Sequence, residues 1–89
     1  MNLQDAIYNW LSIKVVREAR PDDQAAIDTY DFFTTILTED HQLEQIDVEV
    51  VAPMYIVHYV KEGQKEQKQF PIELIEALLE QIQSEPKFN

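Results

Sequence analysis

The two histidines, His41 and His58, are the side chains best suited to proton transfer or metal binding near neutral pH. A metal site needs several ligands at fixed spacing, and the sequence contains no HxH, HxxxH or HExxH pattern. His41 follows Thr38-Glu39-Asp40 at the end of a predicted helix, where an imidazole can meet the last carbonyls and the negative end of the helix dipole. We therefore predict that His41 caps this helix.

His58 lies between Val57 and Tyr59 in a predicted strand, which favours a packed or cross-strand role. If strand alternation places it on the same face as Asp47 or Glu49, its charge could respond to pH beside a carboxylate. A small enzyme that uses His58 is the corresponding function hypothesis, and it ranks behind the two binding hypotheses given below.

Other groups with catalytic potential are scarce. The serines are Ser12 and Ser84, neither lies in a GxSxG-like turn, and the chain has no cysteine. Loops that bind phosphate need glycine, and Gly63 is the only one in the chain. The residue types therefore favour neither nucleophilic catalysis nor nucleotide binding.

Carboxylates are abundant, and adjacent pairs occur at Asp22-Asp23 and Glu39-Asp40. Both pairs fall at predicted helix ends, so they are better interpreted as helix-end charges than as a catalytic dyad. The DxDxDG spacing of a calcium loop is missing. We predict a protein that is not an enzyme, with no catalytic residue, no metal and no cofactor.

The charge of the chain is unevenly distributed. The formal net charge is −10, and residues 21–50 carry nine acids with no Lys or Arg. These acids are Asp22, Asp23, Asp28, Asp31, Glu39, Asp40, Glu44, Asp47 and Glu49. Such a block repels phosphate backbones and anionic lipid, so we predict no direct nucleic-acid binding and no membrane binding. Acids also keep small proteins soluble, and that simpler interpretation stays open.

The N-terminal segment and the overall composition predict a cytoplasmic protein. Residues 1–7 carry Asp5 and no Lys or Arg, so we expect no signal peptide. No apolar run approaches the roughly 18 residues of a membrane helix. The 89 residues, of which 45% are hydrophobic, are enough for one domain with a thin core. We expect that domain to span residues 1–84, with 85–89 as a flexible tail.

Two helices are predicted to open the chain. Asn2 can cap the first, and Leu3, Ile7 and Trp10 recur at helical spacing. Residues 12–17 fit either a helix or a short strand. Pro21 is expected to begin a second helix because proline is favoured at the first helical position. Its apolar residues, predicted to be core, include Ala26, Tyr30, Phe32, Phe33 and Leu37. A short loop predicts an antiparallel hairpin of the two helices.

The period then changes from helical to two. Three strands are predicted, around 46–50, 54–61 and 65–70, with a break at Ala52-Pro53 and a turn at Glu62-Gly63. The middle strand is apolar on both faces and is predicted to be central. Pro71 is expected to open a final helix. The order predicts an α+β domain (ααβββα) in which a helical hairpin, a three-stranded antiparallel meander and a C-terminal helix combine, with the helices packed on one sheet face.

That arrangement leaves one face of the central strand uncovered, and exposed apolar faces often mark interfaces. The candidate interface comprises the residues of this strand, Met54, Tyr55, Ile56, Val57, His58 and Tyr59. The leading hypothesis is a non-enzymatic protein-binding or regulatory module that acts on a protein partner, with a homodimer also possible. The alternative is a nucleic-acid mimic that inhibits a basic partner through an acidic face of Asp28, Asp31, Asp47 and Glu49.

Overall fold

A 17-residue helix, α1 (Leu3–Ala19), runs through the centre of the fold. In this computed structural model, which describes residues 1–84, the helix begins at the predicted cap: Asn2 Oδ1 accepts a 2.8 Å hydrogen bond from the Asp5 amide. The segment 12–17 is helical throughout. The proposed tail, residues 85–89, lies outside the described residues.

The second helix, α2 (Gln24–Thr35), starts later than the sequence pattern predicted. Pro21 and Asp22 form a turn, and the Asp23 carboxylate is the cap, accepting a 3.1 Å hydrogen bond from the Ala26 amide. The expected start at Pro21 was therefore wrong, because an aspartate that can bond the free amides of the first turn sets the boundary. A five-residue π-helical turn, Ile36–Asp40, follows α2 and ends where the His41 amide donates to the Ile36 carbonyl.

The helices α1 and α2 pack as the predicted antiparallel hairpin. The indole Nε1 of Trp10 donates a 3.0 Å hydrogen bond to Thr34 Oγ1 at one end. At the other end, Val16 and Ala26 pack in one buried cluster. Residue numbers therefore rise along α1 in the direction in which they fall along α2, so the two helices are antiparallel.

Three antiparallel strands follow in the order β1-β2-β3, so the middle strand is central as predicted. They are β1 (Leu43–Val51), β2 (Met54–Lys61) and β3 (Gln64–Pro71). The first turn holds Ala52 and Pro53, joined by a cis peptide. The second is the expected Glu62-Gly63 turn, with φ of 53° and 78°. Positive φ at both central residues defines the type I′ hairpin turn.

A bulge in β1 explains how both an odd-numbered and two even-numbered apolar residues of the strand reach the same face of the sheet. The register shifts between Glu44, opposite Val60, and Asp47, opposite His58. One extra β1 residue is accommodated there, and Gln45 takes a φ of 54°. As a result Leu43, Ile46 and Val48 all contact the main core, although an unbroken two-residue alternation would turn Leu43 away from the other two.

The predicted C-terminal helix is divided in two. Pro71 ends β3 and precedes α3 (Ile72–Ile75), and α4 (Ala77–Gln83) follows. Glu76 separates the two helices with a ψ of −1°. The prediction of one continuous helix missed this break, which lies where the Glu76 carboxylate is hydrogen-bonded to β2.

The helices cover one face of the sheet, which confirms the α+β fold. Residues of α1 such as Ile7 and Leu11 share a buried cluster with Val57 of β2, Phe70 of β3 and Ile75 of α3. A second cluster on the other side of α1 joins it to α2 and α4. Within residues 1–84, no helix combines the length and the apolar character needed to cross a membrane.

Candidate interaction surface

The two faces of β2 have different environments. On the helix-covered face, Val57 and Tyr59 are buried, with exposed fractions of 0% and 2%, and Tyr55 packs against the same cluster. These three members of the candidate interface therefore belong to the core, and their side chains are not open to a partner. Tyrosine is common both in protein cores and at interfaces, and the position of the helices shows that these two tyrosines belong to the core.

The opposite face of β2, here called the outer face, carries the other three candidates. Met54, Ile56 and His58 are partly exposed, and Val60 continues the row. The register places β1 residues beside them: Val51 opposite Met54, Glu49 opposite Ile56, and Asp47 opposite His58. On the other side of β2 lie Gln69, Gln67 and Lys65. The outer face is thus an apolar row between an acidic strand and a polar one.

His58 and Glu49 are joined by a side-chain hydrogen bond on this face. The distance from His58 Nε2 to Glu49 Oε1 is 2.9 Å, and the side chains are 42% and 56% exposed. Asp47 lies opposite His58 in the register, and its Oδ1 accepts from the Val48 amide at 3.1 Å. The shared face that the sequence hypothesis required for His58 is therefore present. Because water reaches both partners, the pair adds little to stability and stays available to a ligand.

A shallow open depression adjoins this pair. It is lined by Gln45 of the bulge, Asp47, His58, Tyr59, Val60, Lys65 and Glu66. The depression brings together an imidazole, carboxylates and one ammonium group, a combination that can bind charged groups of either sign. Among the described residues, no three His, Asp or Glu side chains converge as a metal site would require.

The four residues of the predicted acidic face are not brought together. Asp28 and Asp31 are exposed on α2, which belongs to the helical layer. Asp47 and Glu49 lie on the outer face of the sheet. The helices pack on the other side of that sheet, so the two pairs do not form one continuous row of charge.

Four exposed apolar side chains at one end of the molecule were not predicted from the sequence. Val50 and Val51 end β1, and Leu74 and Leu78 belong to α3 and α4. The Ile72 amide donates a 2.9 Å hydrogen bond to the Pro53 carbonyl, which joins the start of α3 to the β1–β2 turn. The adjacent valines, which break the alternation of β1, were the available sequence signal.

Phe32 corrects the predicted core of α2. It was expected to be buried, but it is 60% exposed and contacts Phe33 edge-on at a centroid distance of 5.2 Å. The core face of α2 is narrower than expected, because α2 packs mainly against α1. Phe32 therefore lies beside Asp28 and Asp31 on the solvent side.

His41 is the C-cap of the π-helical turn, as predicted, but it caps through its backbone amide, which donates to the Ile36 carbonyl, and not through its imidazole. Its Nε2 lies 3.2 Å from the Met1 carbonyl oxygen, and Lys61 Nζ donates a 3.1 Å hydrogen bond to the His41 carbonyl. His41 thus connects the N-terminus to the start of the sheet. Its role in the described contacts is structural.

No protein-family model, no curated protein and no solved structure matches this chain. The function must therefore be inferred from the surface of the molecule.

Proposed function

We propose that this protein is a non-enzymatic binding module whose outer face docks a protein partner. The observation that carries the proposal is the position of Ile56 at the middle of the uncovered face of the central strand, in a row with Met54 and Val60. Apolar residues on the solvent side of a small sheet lose the benefit of burial until another surface covers them.

The flanking charges indicate the chemistry of the partner. Glu49 lies directly opposite Ile56, and Asp47 lies one pair further along β1. A surface that presents an apolar side chain flanked by Lys or Arg would match this arrangement, and the acids would accelerate its approach at low salt. We propose the cytoplasm as the compartment.

The nucleic-acid mimic receives less support. A mimic must present carboxylates in a row that follows the phosphates of a strand. Asp28 and Asp31 lie in the helical layer, while Asp47 and Glu49 lie on the outer face. A basic partner of the outer face would therefore meet only one of the two acid pairs.

Site-specific photocrosslinking in cells tests the proposal. A photoreactive amino acid at position 56 should crosslink one defined partner, and the same group at position 32, an exposed apolar site on α2 away from the outer face, provides the control. Purified Ile56→Thr, which keeps a β-branched residue in the strand, should bind that partner at least about tenfold more weakly. Phe32→Thr should bind as the unmodified protein does. No crosslink from position 56, or equal crosslinking from both positions, would contradict the proposal.

A further inference from the structure

The third strand has an open edge, because β3 lies at one side of the β1-β2-β3 order. From Gln64 to Gln69 its side chains are exposed, apart from the partly buried Lys68. An open edge presents unpaired amide and carbonyl groups along the strand.

The hairpin turn determines which of these backbone groups point outward. In a two-residue type I′ hairpin, the residues that flank the turn form a hydrogen-bonded pair, here Lys61 and Gln64. Pairs alternate along an antiparallel ladder, so Glu66 and Lys68 direct their amides and carbonyls toward β2. Lys65, Gln67 and Gln69 therefore direct theirs toward the open edge.

We propose that this edge pairs with the same edge of a second copy, in an antiparallel dimer whose two-fold axis passes between the two Gln67 residues. In this register the amide and carbonyl of Gln67 bond those of the partner's Gln67 reciprocally. Lys65 and the partner's Gln69 form the next hydrogen-bonded pair. This inference does not depend on the proposed function of the outer face.

Charge complementarity selects this register. With the axis at Gln67, Glu66 lies directly opposite the partner's Lys68, and Lys68 opposite the partner's Glu66. All four side chains lie on one face of the joined sheet. Moving the axis by one residue places Glu66 against the partner's Glu66, or Lys68 against the partner's Lys68, and like charges in directly opposite positions are destabilising. Moving the axis by half a residue would pair each side chain with one from the other face of the sheet. Directly opposite residues share a face, so such registers do not occur.

The geometry also limits the assembly to two copies. The pairing uses both β3 edges, and the outer strands of the joined sheet are then the two copies of β1. Each β1 carries the bulge at Gln45 and Ile46, which interrupts a regular ladder. The two outer faces would lie on the same side of one continuous sheet, so a dimer would present two equivalent docking surfaces.

Complementary charge variants test the proposal. Glu66→Lys alone places lysines opposite each other, and Lys68→Glu alone places glutamates opposite each other, so each purified variant should dimerise at least about tenfold more weakly in sedimentation equilibrium. An equimolar mixture of the two should recover dimers, because a heterodimer restores both opposite-charge pairs. The matched control mixture is Lys65→Glu with Glu73→Lys, which changes charges outside these pairs and should show no such dependence on mixing.

Two further variants separate edge pairing from other causes. Gln67→Pro removes an amide that points to the open edge and should give a folded monomer, as judged by circular dichroism. Ile56→Thr, on the outer face, should leave the dimer intact even if the proposed partner is lost. A monomeric unmodified protein at millimolar concentration, or a mixture that recovers no more dimer than its components, would overturn the proposal.

Discussion

The hydroxyl of Tyr55 donates a 2.7 Å hydrogen bond to the carboxylate of Glu76, which ties the central strand to the break between α3 and α4. Tyr55 is partly buried, and Glu76 is the residue that separates α3 from α4. A bond from a neutral hydroxyl to a carboxylate is stronger than one between neutral groups. This contact therefore helps to hold α4 against α1.

We expect Tyr55→Phe and Glu76→Gln each to lower the free energy of unfolding by about 1–2 kcal/mol, because each weakens a charged hydrogen bond. The double variant should cost less than the sum of the two, since both remove the same interaction. Urea denaturation of all four proteins provides the measurement. Amide exchange in residues 77–83 should accelerate in both single variants. Strict additivity would show that the bond contributes nothing.

Stability should fall at alkaline pH. Burial, together with the Glu76 carboxylate, raises the pKa of Tyr55 from 10 to about 12, and burial beside Glu66 raises the pKa of Tyr59 to about 12. Between pH 10 and 12 the unfolded chain loses phenol protons that the folded chain keeps. The stabilisation is therefore complete below pH 10 and is lost as pH rises through the folded-state values.

The alkaline loss should be on the order of 1 kcal/mol for each of the two tyrosines. Urea denaturation at intervals from pH 9 to 12 measures it. Tyr55→Phe and Tyr59→Phe should each flatten this pH dependence. Thr35→Val, which changes an exposed side chain that does not titrate, is the control and should leave the pH dependence unchanged. Identical pH profiles in all variants would contradict the assignment.

Glu62→Asn should stabilise the protein. Glu62 occupies the first central position of the type I′ turn with a φ of 53°, which asparagine tolerates better than glutamate. The expected gain is about 0.5–1 kcal/mol, a part of the strain of a left-handed residue. Thermal denaturation measures the gain. Gln64→Asn, two residues along in β3, lacks this conformation and should give no gain.

Thr34→Val should destabilise the helical hairpin. Trp10 is 4% exposed, and its indole nitrogen donates to Thr34 Oγ1. Valine leaves that buried donor unpaired at a cost of about 1–2 kcal/mol. Because Trp10 is the only tryptophan, its fluorescence reports unfolding directly. Thr35→Val, at an exposed position of the same helix, should change stability by less than about 0.5 kcal/mol.

Local patterns predicted most of the fold. The Asn2 cap, the change of period after His41 and the Glu62-Gly63 turn depend on neighbouring residues, and all three are present in the structure. The predicted start of α2 was wrong because Pro21 and Asp23 are both residues typical of helix starts. The actual start depends on which side chain reaches the free amides of the first turn.

The outer face could be predicted only in part. Alternation placed Met54, Ile56 and His58 together, but it could not show which face of β2 the helices cover. The His58–Glu49 pair required the register of β1 against β2, which the bulge shifts by one residue. Phe32 was misassigned because helical spacing does not show how wide a surface the neighbouring helix covers.

The bulge at Gln45 changes which positions of β1 face the core: odd-numbered residues face it before the bulge, and even-numbered residues face it after the bulge. Residues 43–44 follow one phase of the two-residue repeat, and residues 47–51 follow the other. A substitution on either side of the bulge changes one side chain only. Deletion of Gln45 would instead prevent residues 43–44 and residues 47–51 from both keeping their present faces. Either Leu43 would turn out to solvent, or Val48 would leave the core while Asp47 and Glu49 turned toward the helices. The number of residues in β1 is therefore constrained more tightly than their identity. Gln45, in an unfavourable backbone conformation, lets the core-facing residues on both sides of it reach the core.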